Sequence, residues 1–325
     1  MDMYSIHSHL RTSQKLVLEI KMFYMKKLTK MIFSIFLIGT LSFLLLEMIP
    51  GDPASAILGV ESTPEDIELL REALGLNKSL IVRYLTWGKG VLVGDFGNSF
   101  KYSEPVVSLI LKRLPLTLEI AMISIGIVFL VSVPLSFLLY KIKNKHVKKF
   151  GDFMIGVFIS VPSFWLGIIF MFVFGVILRL FSVGYNNTFA SLLMPCVVIA
   201  IPNIGIITSY IRSNLEYEMR EEYIKYLYVN GLKMKWLNIY ILKNSILPVI
   251  PLIGIMIIDL ITGIVIIEQI FSIPGIGRLL ITSVVTRDIP LIQGLIFYTS
   301  VVLVLINFII DILYSVIDPR IKGGE

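Results

Sequence analysis

Six long stretches of this chain run almost without charge: Met31 to Ile49, Pro115 to Tyr140, Phe153 to Leu178, Ala190 to Ile211, Ile246 to Ile267 and Leu291 to Ile317. A helix of about 20 residues crosses the hydrocarbon layer of a membrane. Lipid offers no partner to an open backbone, so only structures that satisfy their own amides survive there. The expected fold class is an all-α membrane protein with six transmembrane helices. Charged residues make up 16% of the chain, against roughly a quarter in a soluble domain. The formal net charge of +6 raises nucleic acid as a partner, but the lysines cluster beside apolar runs, as in Lys141 to Lys149, where five of nine residues are lysine. That is the positive-inside pattern of cytoplasmic loops, so the lipid bilayer is expected as a partner and nucleic acid is not. Met25-Lys26-Lys27-Leu28-Thr29-Lys30 repeats the pattern before the first span. With an even number of spans, both termini fall in the cytoplasm.

The segments between the spans differ in character. Residues 1–24 are polar and mixed and read as an N-terminal tail, with residue 25 the more natural beginning. Residues 25–49 form the first transmembrane helix. A cleaved secretory signal is the alternative, since Ala54-Ser55-Ala56 offers a small-x-small site, but the apolar run is longer than a signal core. Residues 50–114 form a long extracytoplasmic segment, nearly neutral with seven Lys/Arg and eight Asp/Glu. Within it Thr63 should cap a helix with Pro64 first inside and Glu65 and Asp66 in its first turn, ending at Gly75. Residues 115–320 form a five-helix core. Pro162 should kink its third span, and Pro195 and Pro202 should break the fourth. Glu268 to Pro290 is expected as an outer loop, with the glycines of Pro274-Gly275-Ile276-Gly277 serving as turn residues.

The longest charged interruption of the core is the cytoplasmic loop 212–245. From Tyr223 to Tyr228 it reads as one short helix, with Ile224, Leu227 and Tyr228 on one face and Glu221 four residues before Lys225 in the favourable ion-pair order. Asn230-Gly231 should end it, because glycine accepts the left-handed turn. A second helix follows, with Trp236, Ile239 and Tyr240 on one face and Lys233, Lys235 and Lys243 around it. A helix–glycine–helix unit with an exposed apolar stripe needs a partner, either the headgroup layer or another protein on the same side.

Motifs of enzymatic chemistry are missing. There is no GxxxxGK[ST] phosphate loop, no HExxH, no CxxC and no GxSxG. The Asp95-Phe96-Gly97 triplet stands without the rest of a kinase. Cys196 is the single cysteine, which leaves no disulfide within the chain and no cysteine metal site. His7, His9 and His146 lie outside the spans. Five acids border or interrupt the apolar runs: Glu47, Glu119, Asp259, Glu268 and Asp311. A mid-span charge costs ~2.5–3.5 kcal/mol on insertion scales. Glu47, Glu119 and Glu268 lie near span ends, where water is within reach. Asp259 lies mid-span and either lines a pathway for a cationic part of a cargo or meets a polar group of a neighbouring helix. Asp311 is expected to contact Asn307, Tyr314 or a partner helix.

The motifs taken together resemble the permease subunits of bacterial ABC importers for dipeptides, oligopeptides and nickel complexes. The resemblance covers nearly all of residues 25–322. It is carried by Pro50-Gly51-Asp52-Pro53, Leu74-Gly75-Leu76, Tyr84, Gly94 through Ser99, Arg113-Leu114-Pro115 and Thr117-Leu118-Glu119. It continues with Glu222-Tyr223, Gly231-Leu232, Lys243-Asn244, Leu247-Pro248, Glu268, Phe271, Pro274 through Arg278, Arg287 through Pro290, and Asp318-Pro319-Arg320. Leu227 and Val229 stand where the family carries small alanines, which implies different packing of the loop on its partner. Asp259 stands where the family has a small or neutral residue.

The resemblance implies that Glu221, Glu222, Tyr223, Lys225, Leu227, Gly231 and Leu232 form the coupling loop to a separate ATPase. ATP would be bound by that subunit and no cofactor by this chain, which is a translocation subunit and not an enzyme. It also implies alternating access, a second homologous permease, one or two ATP-binding subunits, an extracytoplasmic solute-binding lipoprotein, and a place in the bacterial cytoplasmic membrane. A secondary transporter is the alternative, but the inverted repeats or paired broken helices of that class are not visible.

Overall fold

The computed structural model describes residues 3–48, 52–58 and 62–317, and these are almost wholly helical. Among them the only β pairing is an isolated antiparallel bridge between Asn98 and Pro105. Pro50-Gly51 and the closing Asp318-Pro319-Arg320 lie outside the described residues. The chain divides into two compact units, one of residues 1–49 with 296–325 and one of residues 50–295.

The first unit holds α1 (Met3–Glu47) and the later part of α13 (Ile289–Ile317). No proline or glycine precedes Gly39, so nothing in the chain stops the helix from starting early. The residues before Tyr24 therefore continue the helix of the first span. Lys27 Nζ lies 3.4 Å from the Asp311 carboxylate. Asp311 thus meets a partner helix, one of the contacts its position called for.

The second unit begins with α2 (Pro53–Leu58), α3 (Pro64–Ala73) and α4 (Leu80–Val93). Thr63 caps α3 as its sequence requires, its hydroxyl accepting from the Asp66 amide at 3.2 Å. Asp52 caps α2, accepting from the amides of Ala54 and Ser55, both at 3.3 Å. The same carboxylate takes two contacts from the Arg71 guanidinium of α3, each at 3.1 Å. Burial alone would raise the Asp52 carboxyl. The hydrogen bonds from Arg71, Ser55 and the two amides outweigh it and hold the group below its ordinary value. A carboxylate depressed in the folded state contributes stability that is fully present above its unfolded pKa of about 3.9 and is lost as pH falls through the folded pKa. Hydrogen exchange in α2 and α3 should therefore stay protected down to about pH 4 and rise below it. In Arg71→Gln, protection should already be weaker at neutral pH; identical profiles would remove the clasp.

Then come α5 (Val106–Lys141), α6 (Lys145–Ser160), α7 (Ser163–Phe170, running on as a wider π turn through Ile177) and α8 (Phe189–Glu218). Pro162 does more than kink the third span. It lacks an amide hydrogen and pushes Val161 into extended backbone, φ −89° and ψ 120°. The helix breaks, and the two parts meet at a bend of 98°. Pro195 and Pro202, by contrast, sit inside α8 without ending it. A proline inside a spanning helix is tolerated where the packed surroundings hold the helix together. α8 packs against α5, α6, α7, α10 (Met234–Ile246) and α11 (Ile250–Ile270), and is the axis of the core. Ile199, Ile207, Ile211 and Leu215 are buried along it. It also runs past Ile211 to Glu218, so the start of the expected polar loop is a helical extension. There Arg212 pairs with Asp152 of α6 and with Glu216, and Lys148 of α6 reaches Glu216 at 3.0 Å.

Candidate coupling site

α9 (Glu222–Val229) stands between α8 and α10 as the short helix expected there. Glu221 is its cap residue, and its side chain takes the Tyr217 hydroxyl rather than pairing with Lys225. The end of α9 is closed by a double hydrogen bond. The Gly231 amide reaches the Tyr228 carbonyl at 3.1 Å, and the Leu232 amide reaches the Leu227 carbonyl at 3.1 Å. Gly231 is left-handed, φ +85°, which is the Schellman geometry that glycine serves.

The helix does not present the face its sequence spacing indicated. Ile224 is buried and joins Leu215, Leu237 and Ile241 in the core, with Leu227 and Leu232 packed partly against it. Removing one such side chain from water contributes about 1.5–3 kcal/mol. The outward face is instead Glu222, Lys225, Tyr226, Tyr228 and Val229. Leu227 is partly buried and packs against its own chain, while Val229, the other departure from the family's alanines, points outward. On α10 the buried stripe is Leu237, Ile241 and Ser245, and Trp236, Ile239 and Tyr240 are exposed. Spacing identified the Trp236 face but not which face turned inward, because both faces are apolar. Tyr223 ties the pieces together. Its hydroxyl donates to Glu218 and accepts from Asn244 Nδ2 at 2.7 Å. Burial and the contact with Glu218 hold the phenol above its usual range.

The far end of α11 carries a second construction that sequence reading missed. Glu268 is fully buried, not near water. It accepts from Thr117 Oγ1 of α5 at 2.6 Å and from the Arg278 amide at 3.0 Å, with the Gly277 amide also donating. Those amides open α12 (Ile276–Val285), a helix inside what was expected to be a loop. A carboxylate from one helix thus caps the positive end of another. The glycines here are not turn residues. Gly275 has φ −99°, and a Cβ on it would lie 1.9 Å from Glu268 Oε1. Asp288 is buried likewise and joins the chain around Ser99 to the start of α13. It accepts from Ser99 Oγ at 2.5 Å and from the amides of Phe100 and Lys101, each at 3.1 Å, and of Leu291 at 3.3 Å. The signal was present in the resemblance, which quoted both acids, but distance along the chain hid their partners.

Asp259 sits mid-way along α11 and is exposed, with Ile255, Thr262 and Ile266 on the same face. Among the described residues no hydrogen bond or ion pair joins it. No group of three or more metal-ligating side chains occurs among the described residues.

Among the described residues five helices are long and apolar enough to cross a membrane, or six if α6 with α7 is one broken span. Together with a compact polar knuckle between two of them, this defines a multi-pass membrane protein of the permease type. Residues 132–323 match the family described as binding-protein-dependent transport system inner membrane component, and residues 20–121 match that family's N-terminal part. A putative peptide transport system permease protein of Brucella abortus is 32% identical over 307 residues, covering 92% of this chain and 98% of its own. A dipeptide transport system permease protein of Lactococcus lactis is 32% identical over 300 residues, with the same two shares. A nickel import system permease protein of Staphylococcus aureus is 33% identical over 298 residues, 90% of each chain. The chain belongs to the inner-membrane components of binding-protein-dependent transport systems, the permease subunits of ABC importers, and is a multi-pass protein of the cytoplasmic membrane.

Proposed function

We propose that this permease forms half of the pathway of an importer for peptides or for a nickel or other metal chelate, and that α9 is where a separate ATPase subunit drives it. One observation carries the reading. α9 is packed into the core by Ile224 and closed rigidly at Gly231, yet it exposes Glu222, Lys225, Tyr226 and Tyr228. A push on that face is transmitted through α10 to α11, because Ile224 shares the core with Leu237 and Ile241 of α10, and α10 runs through the short turn Leu247–Val249 straight into α11. Alternating access follows from tilting these helices against those of a second, homologous permease. ATP is bound and hydrolysed by one or two partner subunits, this chain supplies no catalytic group, and an extracytoplasmic lipoprotein delivers the cargo. Both termini and the 212–245 loop lie in the cytoplasm, with residues 50–114 outside and α6 with α7 making one span.

Crosslinking tests this directly, since the only native cysteine, Cys196, is buried. Tyr226→Cys should crosslink to the ATPase subunit from the cytoplasmic side. A crosslink to a protein outside the cell, or uptake that persists when the ATPase is inactivated, sinks the reading.

Asp259 belongs to the pathway in this scheme. A mid-helix carboxylate facing lipid costs ~2.5–3.5 kcal/mol, so its face meets water or protein. Asp259→Asn is expected to raise the half-saturating concentration for cationic cargo about tenfold, with little effect on neutral or anionic cargo. An equal change for all cargoes would assign Asp259 to helix packing.

A further inference from the structure

A cavity of about 330 Å³ lies beside the Glu268 cap, between the chain at Lys101 and Tyr102, the start of α5 and the first turns of α12. Three cations line it, Lys101, Arg113 and Arg278, and no acid does. Arg113 donates to the Pro274 carbonyl at 3.2 Å, and Arg278 donates to the Ser272 carbonyl at 2.7 Å. Each guanidinium is thus anchored at one end while carrying five N–H donors. Lys101 Nζ lies 5.5 Å from the centre of the Tyr102 ring. None of the three stands within ion-pair distance of an acid among the described residues. Glu268 and Asp288 lie behind the wall. Their oxygens are taken up by the hydroxyls of Thr117 and Ser99 and by backbone amides. The acids hold the wall in place, and the cavity is left with converging positive charge and fork-shaped donors. Such a set matches a carboxylate, which arginine binds through two parallel hydrogen bonds. Its volume suits a small molecule.

We infer that this cavity binds the terminal carboxylate of a small peptide cargo as it passes from the delivery protein into the permease. The inference rests on the proposed function, which places residues 50–114 and α12 outside. The contact is reversible and forms no bond other than hydrogen bonds and ion pairs.

Lys101 is exposed and provides the readout. Intact cells holding the assembled transporter are treated with a membrane-impermeant amine reagent, and modification is measured at Lys101 by peptide mapping. Dialanine is expected to protect Lys101, and dialanine amide is not. Arg278→Gln should raise the protecting concentration about tenfold. If that variant does not accumulate, Arg278→Lys keeps the charge, loses the fork and should weaken protection in the same direction. Labelling without protection, or equal protection by acid and amide, overturns the inference alone. Protection by the delivery protein but not by dialanine gives the carboxylate to that protein's surface and overturns the cargo assignment. No labelling from outside removes the outer placement, and the proposed function falls with it.

Discussion

Replacing Gly275 by alanine is expected to leave little folded permease in the membrane, although the change adds one methyl group. Gly275 has an ordinary φ of −99°, so backbone strain is not the cause. The added Cβ would lie 1.9 Å from Glu268 Oε1, 2.2 Å from Cδ and 2.5 Å from Oε2. Glu268 cannot swing aside without releasing Thr117 and the amides that open α12. Each buried donor left without an acceptor costs about 1–3 kcal/mol, and whole proteins are stable by only about 5–15 kcal/mol. Glu268→Ala should be severe for the same reason. The decisive measurement is the double variant. With Glu268 already alanine, the three atoms nearest the added methyl group are gone and Gly275→Ala should cost little more, as contacting sites show non-additivity. Equal penalties in both backgrounds, read from thermal denaturation of the purified protein, would dismiss the contact.

The second large effect is expected at Gly231, and it should separate transport from ATP hydrolysis rather than abolish folding. A Cβ on Gly231 has nothing within 4 Å, so size is not what glycine supplies. The φ of +85° is. A left-handed conformation costs an L-residue roughly 1–2 kcal/mol, and asparagine tolerates it best. Gly231→Val should therefore open the double hydrogen bond that closes α9, loosening the joint to α10 while Ile224 keeps the helix docked. Uptake per ATP hydrolysed should fall about tenfold, a loss of about 1.4 kcal/mol in coupling. Gly231→Asn should retain most of it. Glu222→Lys is expected to uncouple by another route, placing a cation at the positive end of α9 on its exposed face. If Gly231→Val transports normally, or if asparagine fails as badly as valine, the rigid-joint account is wrong.

How much of this was readable in advance varied with the kind of residue. Single-residue backbone rules were dependable: Thr63 caps α3, and Gly231 ends α9 left-handed. Proline was not, because its effect depends on neighbours. Pro162 broke a helix, and Pro195 and Pro202 passed unnoticed inside one. Amphipathic phase was unreliable for the same reason. On α10 apolar side chains occupy both faces, so period alone could not choose between Leu237 and Trp236, and on α9 it put Ile224 and Tyr228 on one face although only Ile224 is buried. The Glu268 error came from treating nearness to a span end as nearness to water.

The amino-acid sequence by itself determined that this protein lives in a membrane, that its backbone must be helical there, where most helices begin and end, and to which family it belongs. Those properties follow from local chemistry: the scarcity of charge, the conformational limits of glycine and proline, and motifs in order along one chain. Only the tertiary structure decided which face of α9 is free to meet a partner, and that Glu268 and Asp288 are structural clasps. It also gathered three distant cations around one cavity. Burial is a property of pairs of segments, and residues as far apart as Thr117, Glu268 and Arg278 carry no mark of one another until the helices are packed.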